Sequence, residues 1–553
     1  IKKVGKQQIM DAQQKTAPSK QAAAKAKMLS GSAWMTAGSV LSRVLGALYI
    51  IPWVTWMGAY SDQANALYAK GYNIYNLFLV IATAGIPSAM SKLVAHYNGI
   101  NQTNISKKLY HTGMYVSMAT GVIAALIMMF GASLLDGGDP NEIPVIRSLA
   151  WAVLLIPSIS ISRGYLQGYS WMAPSAISQL IEQLLRIIYM LGATYLVMKI
   201  QKGSWVLAVT QSTFAAFIGA LGAAAVLIMA RIHYRRPMEA MLENSLATPK
   251  ISTIQLIVKI VYQAIPFIVI ESGITIFQLI DQYTFFKMMP LVGHFTYYQM
   301  NTVYAMFSFN ANKLYMIIIA VATAMATTVI PLLAHARAKN DQEGMRTQIE
   351  NALELFYFIM VPASLGLVAI APQVYTVFYR YNQAGIVILE FAAFASIAMG
   401  LYSVAAAMMQ GISENRKMMK ILGVGMIIKL ILQFPCIWLL KGMGPLLATA
   451  LAMVVMNYLI LHSFNMEFGL HFEEMAKPTN QILAFSLVMF VVTKLVMFGL
   501  GYLVNPHGRY AAFFLLIVGV AIGGAIYGYL ALKSRLADHL LGARAELLRE
   551  RLH

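Results

Sequence analysis

Charge is scarce in this chain. Asp, Glu, Lys and Arg make up 11% of its 553 residues, less than half of the roughly 25% found in soluble globular domains. That shortage excludes a protein bathed in water over most of its surface. Acid is scarcer than base: 22 Asp and Glu stand against 41 Lys and Arg, a net charge of +19. Such a balance raises the question of nucleic acid, but no compact basic domain with a readout element is visible, so no nucleic-acid partner is expected. Cysteine is confined to Cys436, which excludes an internal disulfide and a thiolate metal centre. The patterns GxxxxGK[ST], HExxH and GxSxG are also missing. ATP-driven, zinc-peptidase and serine-hydrolase readings fall with them. The histidines show no ligand spacing, and a transporter rather than an enzyme is expected.

What is present is long apolar sequence. Hydrophobic residues make up 59% of the chain, and its mean hydropathy is +0.64. About fourteen runs reach the roughly 20 residues that cross a bilayer. The fold class read from them is an all-α polytopic membrane protein, with two pseudo-symmetric six-helix lobes and two C-terminal helices. The expected divisions are a basic tail (1–29), an N-lobe (30–231), a linker (232–253), a C-lobe (254–466), two further helices (467–535) and a C-terminal tail (536–553). Lys and Arg concentrate in the tails and alternate loops, while the loop LLDGGDPNEIP (134–144) is acidic. By the positive-inside rule both termini are cytoplasmic and that loop is outside, with the loop holding Lys199 and Lys202 a mild exception.

The chain repeats itself. IATAGIPSAMSKLVAH (81–96) resembles VATAMATTVIPLLAH (321–335), and GYLQGYS (164–170) resembles AMMQGIS (407–413). Arg186 then matches Lys429 at the same spacing. Copies of six segments share orientation, which implies a pseudo-two-fold along the membrane normal. Pro87, Pro157, Pro266, Pro331, Pro362 and Pro435 fall inside apolar runs, where each removes a backbone donor and favours a kink.

Charged residues inside these runs are the candidate site. Arg43 lies about 20 Å along a helix from Ser30 at 1.5 Å per residue, too deep to snorkel easily, and at least about 3 kcal/mol is at stake if it faces lipid. Thr36, Ser39, Arg43 and Gly46 share one small, polar face. Arg163 and Gln167 share another, and Ser175, Gln179, Glu182, Arg186 and Tyr189 a third. Glu182 and Arg186 also stand at the i,i+4 spacing of an internal ion pair. Glu271, Thr275, Gln278 and Gln282 form a stripe beside Asp281, and Lys313 opens the eighth segment. Arg43, Arg163, Arg186 and Lys313, with Ser39 and Gln167, are therefore expected to bind an anionic phosphate or diphosphate. Glu182, Glu271 and Asp281 are expected to tune those cations or bind a coupling ion, with Na⁺ near Glu271 and Asp281 the metal candidate. No cofactor is expected beyond Na⁺, H⁺ or the membrane potential. Lys429 and Lys494 are intramembrane cations of lower rank.

SGSAWMTAGSVLSRVLGALYIIP (30–52) and YNIYNLFLVIATAGIPSAMSKLVAHY (72–97) resemble the MurJ-type lipid II flippases, in their YtgP-like branch, of the multidrug/oligosaccharidyl-lipid/polysaccharide exporter superfamily. SRVLG (42–46) carries the family's first-helix arginine onto Arg43, and ANKLY (311–315) carries a basic residue onto Lys313 with a one-residue gap. The resemblance implies two lobes around a cationic cavity and a lipid-tail groove at the last two helices. It further implies translocation of undecaprenyl-diphosphate-linked peptidoglycan precursor between leaflets of the bacterial plasma membrane by alternating access. Implied partners are lipid II or a related polyprenyl-diphosphate glycan, membrane lipids and the cell-wall synthesis machinery. KGYNIYNLFL (70–79) lacks the arginine-rich stretch of Gram-negative members, and a second first-helix arginine is missing. The alternatives are an exporter of a capsule or teichuronic-type glycan, a multidrug antiporter, and a membrane enzyme on lipid phosphates.

Overall fold

The computed structural model describes residues 45–46, 48–83, 86–243, 245 and 252–537, and these form helices without a strand. The first half holds α1 (Ile50–Met57), α2 (Ser61–Thr83), α3 (Ile86–Gly99), α4 (Thr103–Phe130), the short α5 (Ala132–Leu135), α6 (Glu142–Gly168), α7 (Met172–Tyr195), α8 (Trp205–His233) and the surface helix α9 (Arg235–Glu243). The second half holds α10 (Thr253–Glu271), α11 (Gly273–Val292), α12 (Tyr297–Ala305), α13 (Asn312–Ala338), α14 (Gln342–Ala369), α15 (Ala371–Phe378), α16 (Gln383–Gly411), α17 (Asn415–Leu440) and α18 (Gly444–Phe468). Two more follow, α19 (Phe472–Leu503) and α20 (Arg509–Lys533).

Among the described residues, ten helical stretches are long and apolar enough to cross a membrane, eleven with the bent pair α10–α11. One stretch, Asn415–Phe468, contains both α17 and α18, and so holds two of the expected segments. The second segment begins at Ser61. Asp62, Gln63, Asn65 and Lys70 lower its hydropathy, yet Asn65 and Lys70 are buried against protein. Lipid was the wrong solvent to assume for that face. Apolar side chains such as Ile123, Phe130, Leu495 and Phe513 are exposed, as a lipid-facing belt requires.

The two halves repeat in three dimensions. In the first, α6 packs against α2, α3, α4 and α8; in the second, α16 packs against α13, α14 and α18. The turns leaving these two hub helices match atom for atom. Ser170 and Ser413 both take the left-handed region, at φ 62° and 65°. Each donates its N–H back three residues, to Gln167 and Gln410, and Trp171 and Glu414 donate back five, to Leu166 and Met409.

Of the internal prolines, Pro157, Pro362 and Pro435 sit within continuous helices. The sharp bend lies downstream of Pro266, where the helix axes before and after Ser272 differ by 46°. Tyr402 donates its hydroxyl to the Ile270 carbonyl at 3.0 Å, satisfying an acceptor at the break.

The halves meet on the side of the 134–144 loop, through α2 against α11 and α12. The opposite side carries α9 and is called the linker side below.

Candidate functional site

Between the halves lies a cavity of about 370 Å³ lined by Tyr68, Tyr72, Arg186, Gln278 and Lys313 among others. Each cation in it is held by a local feature of its helix. Arg186 lies about four turns into α7. Behind it, α8 approaches so closely that a Cβ on Gly219 would stand 2.6 Å from the Glu182 carbonyl oxygen. Glycine there lets the two backbones touch, and because Arg186 Cβ and Glu182 Cγ stand 3.3 Å from the same point, any side chain there would crowd the roots of the charged pair. Lys313 follows a π-helical turn, Met306–Ala311, a widening common at functional sites. Phe309 from that turn, with Tyr68 and Tyr72 from α2, presents rings 5.5, 5.7 and 5.2 Å from the Lys313 ammonium, within cation–π range.

Tyr72 joins the two cations, since its hydroxyl accepts from Arg186 Nη1 at 3.1 Å while its ring faces Lys313. Glu182 accepts from Arg186 and Arg163, both at 2.9 Å. Arg163 Nε donates to Ser178 at 2.8 Å, and Gln167 donates to Ser175 at 2.8 Å. One carboxylate thus lies between two guanidinium groups, and Lys313 has no acidic partner among the described residues. The balance is positive, which suits an anionic group.

The other expected residues divide. Arg43 and Ser39 lie outside the described residues; Gly46, three positions after Arg43, lines the cavity. Thr275 and Gln278 of the α11 stripe line it too, while Gln282 accepts from Asn73 across the halves at 3.2 Å. Glu271 stands exposed beside the α10–α11 break, apart from the cluster. Asp281 faces the C-terminal half, where fully buried Lys429 donates to its Oδ1 at 2.6 Å. Lys429 also donates to the Pro445 carbonyl and the Thr449 hydroxyl, each at 2.7 Å, and Gln433 donates to the same Asp281 oxygen at 2.9 Å. An ammonium therefore sits among the oxygens where Na⁺ was expected. Among the described residues no group of three or more His, Cys, Asp or Glu could hold a metal.

Sequence reasoning passed over Lys70. Buried in α2, it lies 3.2 Å from both Asp139 and Glu142 and donates to the Tyr297 hydroxyl at 2.9 Å. Tyr297 belongs to the other half, so Lys70 clasps the lobes together. Gln63 and Asn65 add bonds to the Tyr298 carbonyl and Asn310, at 3.1 and 2.9 Å. The available signal was the polar run from Asp62 to Asn76, which recurs on one helical face.

Next to the cationic cavity is an apolar one of about 530 Å³, walled by α13, α14, α15, α19 and α20. Ile317 borders both.

Residues 28–337 match the family model described as polysaccharide biosynthesis protein. Over 94% of its length the chain is 33% identical to the lipid II flippase MurJ of Bacillus subtilis (strain 168), covering 97% of that protein. The chain belongs to this family, in its MurJ-type branch. Its fold is similar to that of a lipid II flippase MurJ in an inward closed conformation, with TM-score 0.64, 14% identity and coverage of 92% of this chain and 99% of the other. An inward-facing multidrug resistance MATE transporter of the MOP superfamily aligns with TM-score 0.60, covering 79% of this chain and 96% of its own. As a MurJ-type chain with a superfamily transporter fold, this is a multi-pass membrane protein whose relatives are transporters rather than enzymes.

Proposed function

We propose that the protein moves a polyprenyl-diphosphate-linked peptidoglycan precursor, lipid II, across the plasma membrane by alternating access. The full-length 33% identity to a lipid II flippase carries this reading. The positive cavity supports it, because a diphosphate needs fixed cations shielded from bulk water. Arg186 and Lys313, with Arg43 of the first segment, hold the diphosphate. Arg163, Ser39 and Gln167 extend the polar path, and Glu182 spaces the guanidinium groups. The polyprenyl tail follows the apolar cavity past Ile317, between the C-lobe and the helices of 467–535.

In this reading the termini and linker are cytoplasmic, and the Lys70 clasp closes the outer side. Membrane potential acts on the fixed cations. Glu271 is the carboxylate free to exchange a proton or hold Na⁺, because Asp281 is engaged by Lys429. A multidrug antiporter for cationic drugs needs an acidic cavity, which Arg186 and Lys313 oppose. Another lipid-linked glycan is the reading kept as alternative, because the family description names polysaccharide biosynthesis.

The test uses reconstituted vesicles with labelled lipid II and a capsule-type polyprenyl-diphosphate glycan. Wild type translocates lipid II, while Arg43→Ala and Lys313→Ala, at equal membrane levels, lose at least about tenfold in rate, or 1.4 kcal/mol. They also fail to support growth of cells depleted of their lipid II flippase. Transport of the capsule-type glycan alone would replace this reading by its alternative.

A further inference from the structure

Away from the central site, the N-terminal half holds a larger cavity, of about 790 Å³, among α4, α6, α8 and α9. Its lining changes with depth. Lys107 lies one turn into α4, Arg231 two residues from the end of α8, and Arg235 opens α9. These basic groups, with His111, sit at the linker side. Met114, Leu155 and Leu227 line deeper parts. Leu155 is three to four turns before the end of α6, about 20 Å in at 1.5 Å per residue. Exposed Ile228 and Ile232 border the opening, so it faces acyl chains rather than the lobe interface.

The charges are unbalanced. Glu239 is the one acid in the lining, and it accepts from Arg235 at 2.7 Å. Lys107, His111 and Arg231 have no carboxylate partner among the described residues. Arg231 instead lies over the Tyr110 ring, 4.5 Å from its centroid, and donates to its hydroxyl at 3.3 Å. That contact fixes the guanidinium at the rim. Snorkelling explains cations on this side of a membrane protein. It does not explain their convergence from separate helices over one cavity with an apolar floor.

We propose that this cavity binds an anionic glycerophospholipid from the leaflet on the linker side. Lys107, His111 and Arg231 hold its phosphodiester, and an acyl chain runs inward along Met114, Leu155 and Leu227. Basic pockets between membrane helices bind anionic headgroups by the same physics. A zwitterionic lipid brings an ammonium that meets the Lys107 and Arg231 cations and an acid already engaged, so net negative charge is selected. Because α9 forms one wall, the bound lipid also braces the start of the inter-lobe linker. The proposal is independent of which substrate the central cavity carries.

The test is native mass spectrometry of the full chain, equilibrated with equal phosphatidylglycerol and phosphatidylcholine of matched acyl composition. Wild type should retain one phosphatidylglycerol preferentially. The Lys107→Gln/Arg231→Gln variant should lose that adduct at least about fivefold, or roughly 1 kcal/mol, while Lys477→Gln, in α19, should keep it. If the double variant melts early, Lys107→Gln/His111→Gln, at two exposed positions, serves in its place. Equal retention of both lipids, or an unchanged adduct in the folded variant, overturns the proposal. Loss of the adduct on adding millimolar inorganic phosphate, with no dependence on acyl chain length, would assign a free-phosphate site and overturn it equally.

Discussion

Tyr72 serves two cations at once, through its hydroxyl to Arg186 and its ring to Lys313. The two contacts can be removed separately. Tyr72→Phe keeps the ring and leaves one guanidinium N–H to water or substrate, at a cost of about 1 kcal/mol for one hydrogen bond. Tyr72→Leu also removes the cation–π face, worth a further 0.5–2 kcal/mol or so. Transport by Phe should therefore fall several-fold and by Leu at least about tenfold, measured in vesicles at equal protein levels. Equal losses in both variants would show that the ring contact with Lys313 contributes nothing. Arg186 and Lys313 were legible in the sequence because charge inside an apolar run is conspicuous. Tyr72 was not, since one tyrosine among many in a helix carries no sign of what its two ends touch.

Among the elements, α11 is tied to α17 and α18 by one buried network. Asp281 supplies the carboxylate, Lys429 the ammonium, and Gln433, Thr449 and the Pro445 carbonyl the remaining bonds. Breaking one side of a buried ion pair leaves an uncompensated charge, at about 3–5 kcal/mol. Lys429→Met should lower the melting temperature in detergent markedly, and Lys429→Met/Asp281→Asn should recover much of it, because the second change removes the orphaned charge. A double variant no better than the single one would refute the pairing. The sequence repeat already matched Lys429 to Arg186. It could not show that their roles differ. Arg186 faces a cavity with an acid from its own helix, whereas Lys429 takes its acid from α11 and is sealed. Helical periodicity reports the face of a residue on its own helix, not what packs against that face.

For the molecule as a whole, the Lys70 clasp ties the two halves together on the 134–144 side. Asp139 and Glu142 converge on one buried ammonium, and Tyr297 of the other half donates to Asp139 at 2.8 Å. Lys70→Met leaves two carboxylates facing one another with no cation between them. The population should shift towards opening on the 134–144 side, since a state that exposes those carboxylates to water gains relative to the closed one. Spin labels at positions 135 and 295 should then show a longer, broader distance distribution by double electron–electron resonance than in the parent. An unchanged distribution would remove Lys70 from the closure.

The sequence by itself determined the solvent, the helical class and the two-fold repeat, and it marked Arg186 and Lys313, which line the cavity, as charges inside apolar runs. Each of these depends on composition or on spacing along one chain segment, and such patterns survive without knowledge of neighbours. The local Glu182–Arg186 pair was already written in its i,i+4 spacing, but only the tertiary structure decided which acids Lys429 and Lys70 meet, since Asp281, Asp139 and Glu142 lie far along the chain from them. A charge in a medium of low dielectric takes the partner that packing brings within reach, and packing between helices has no one-dimensional signature.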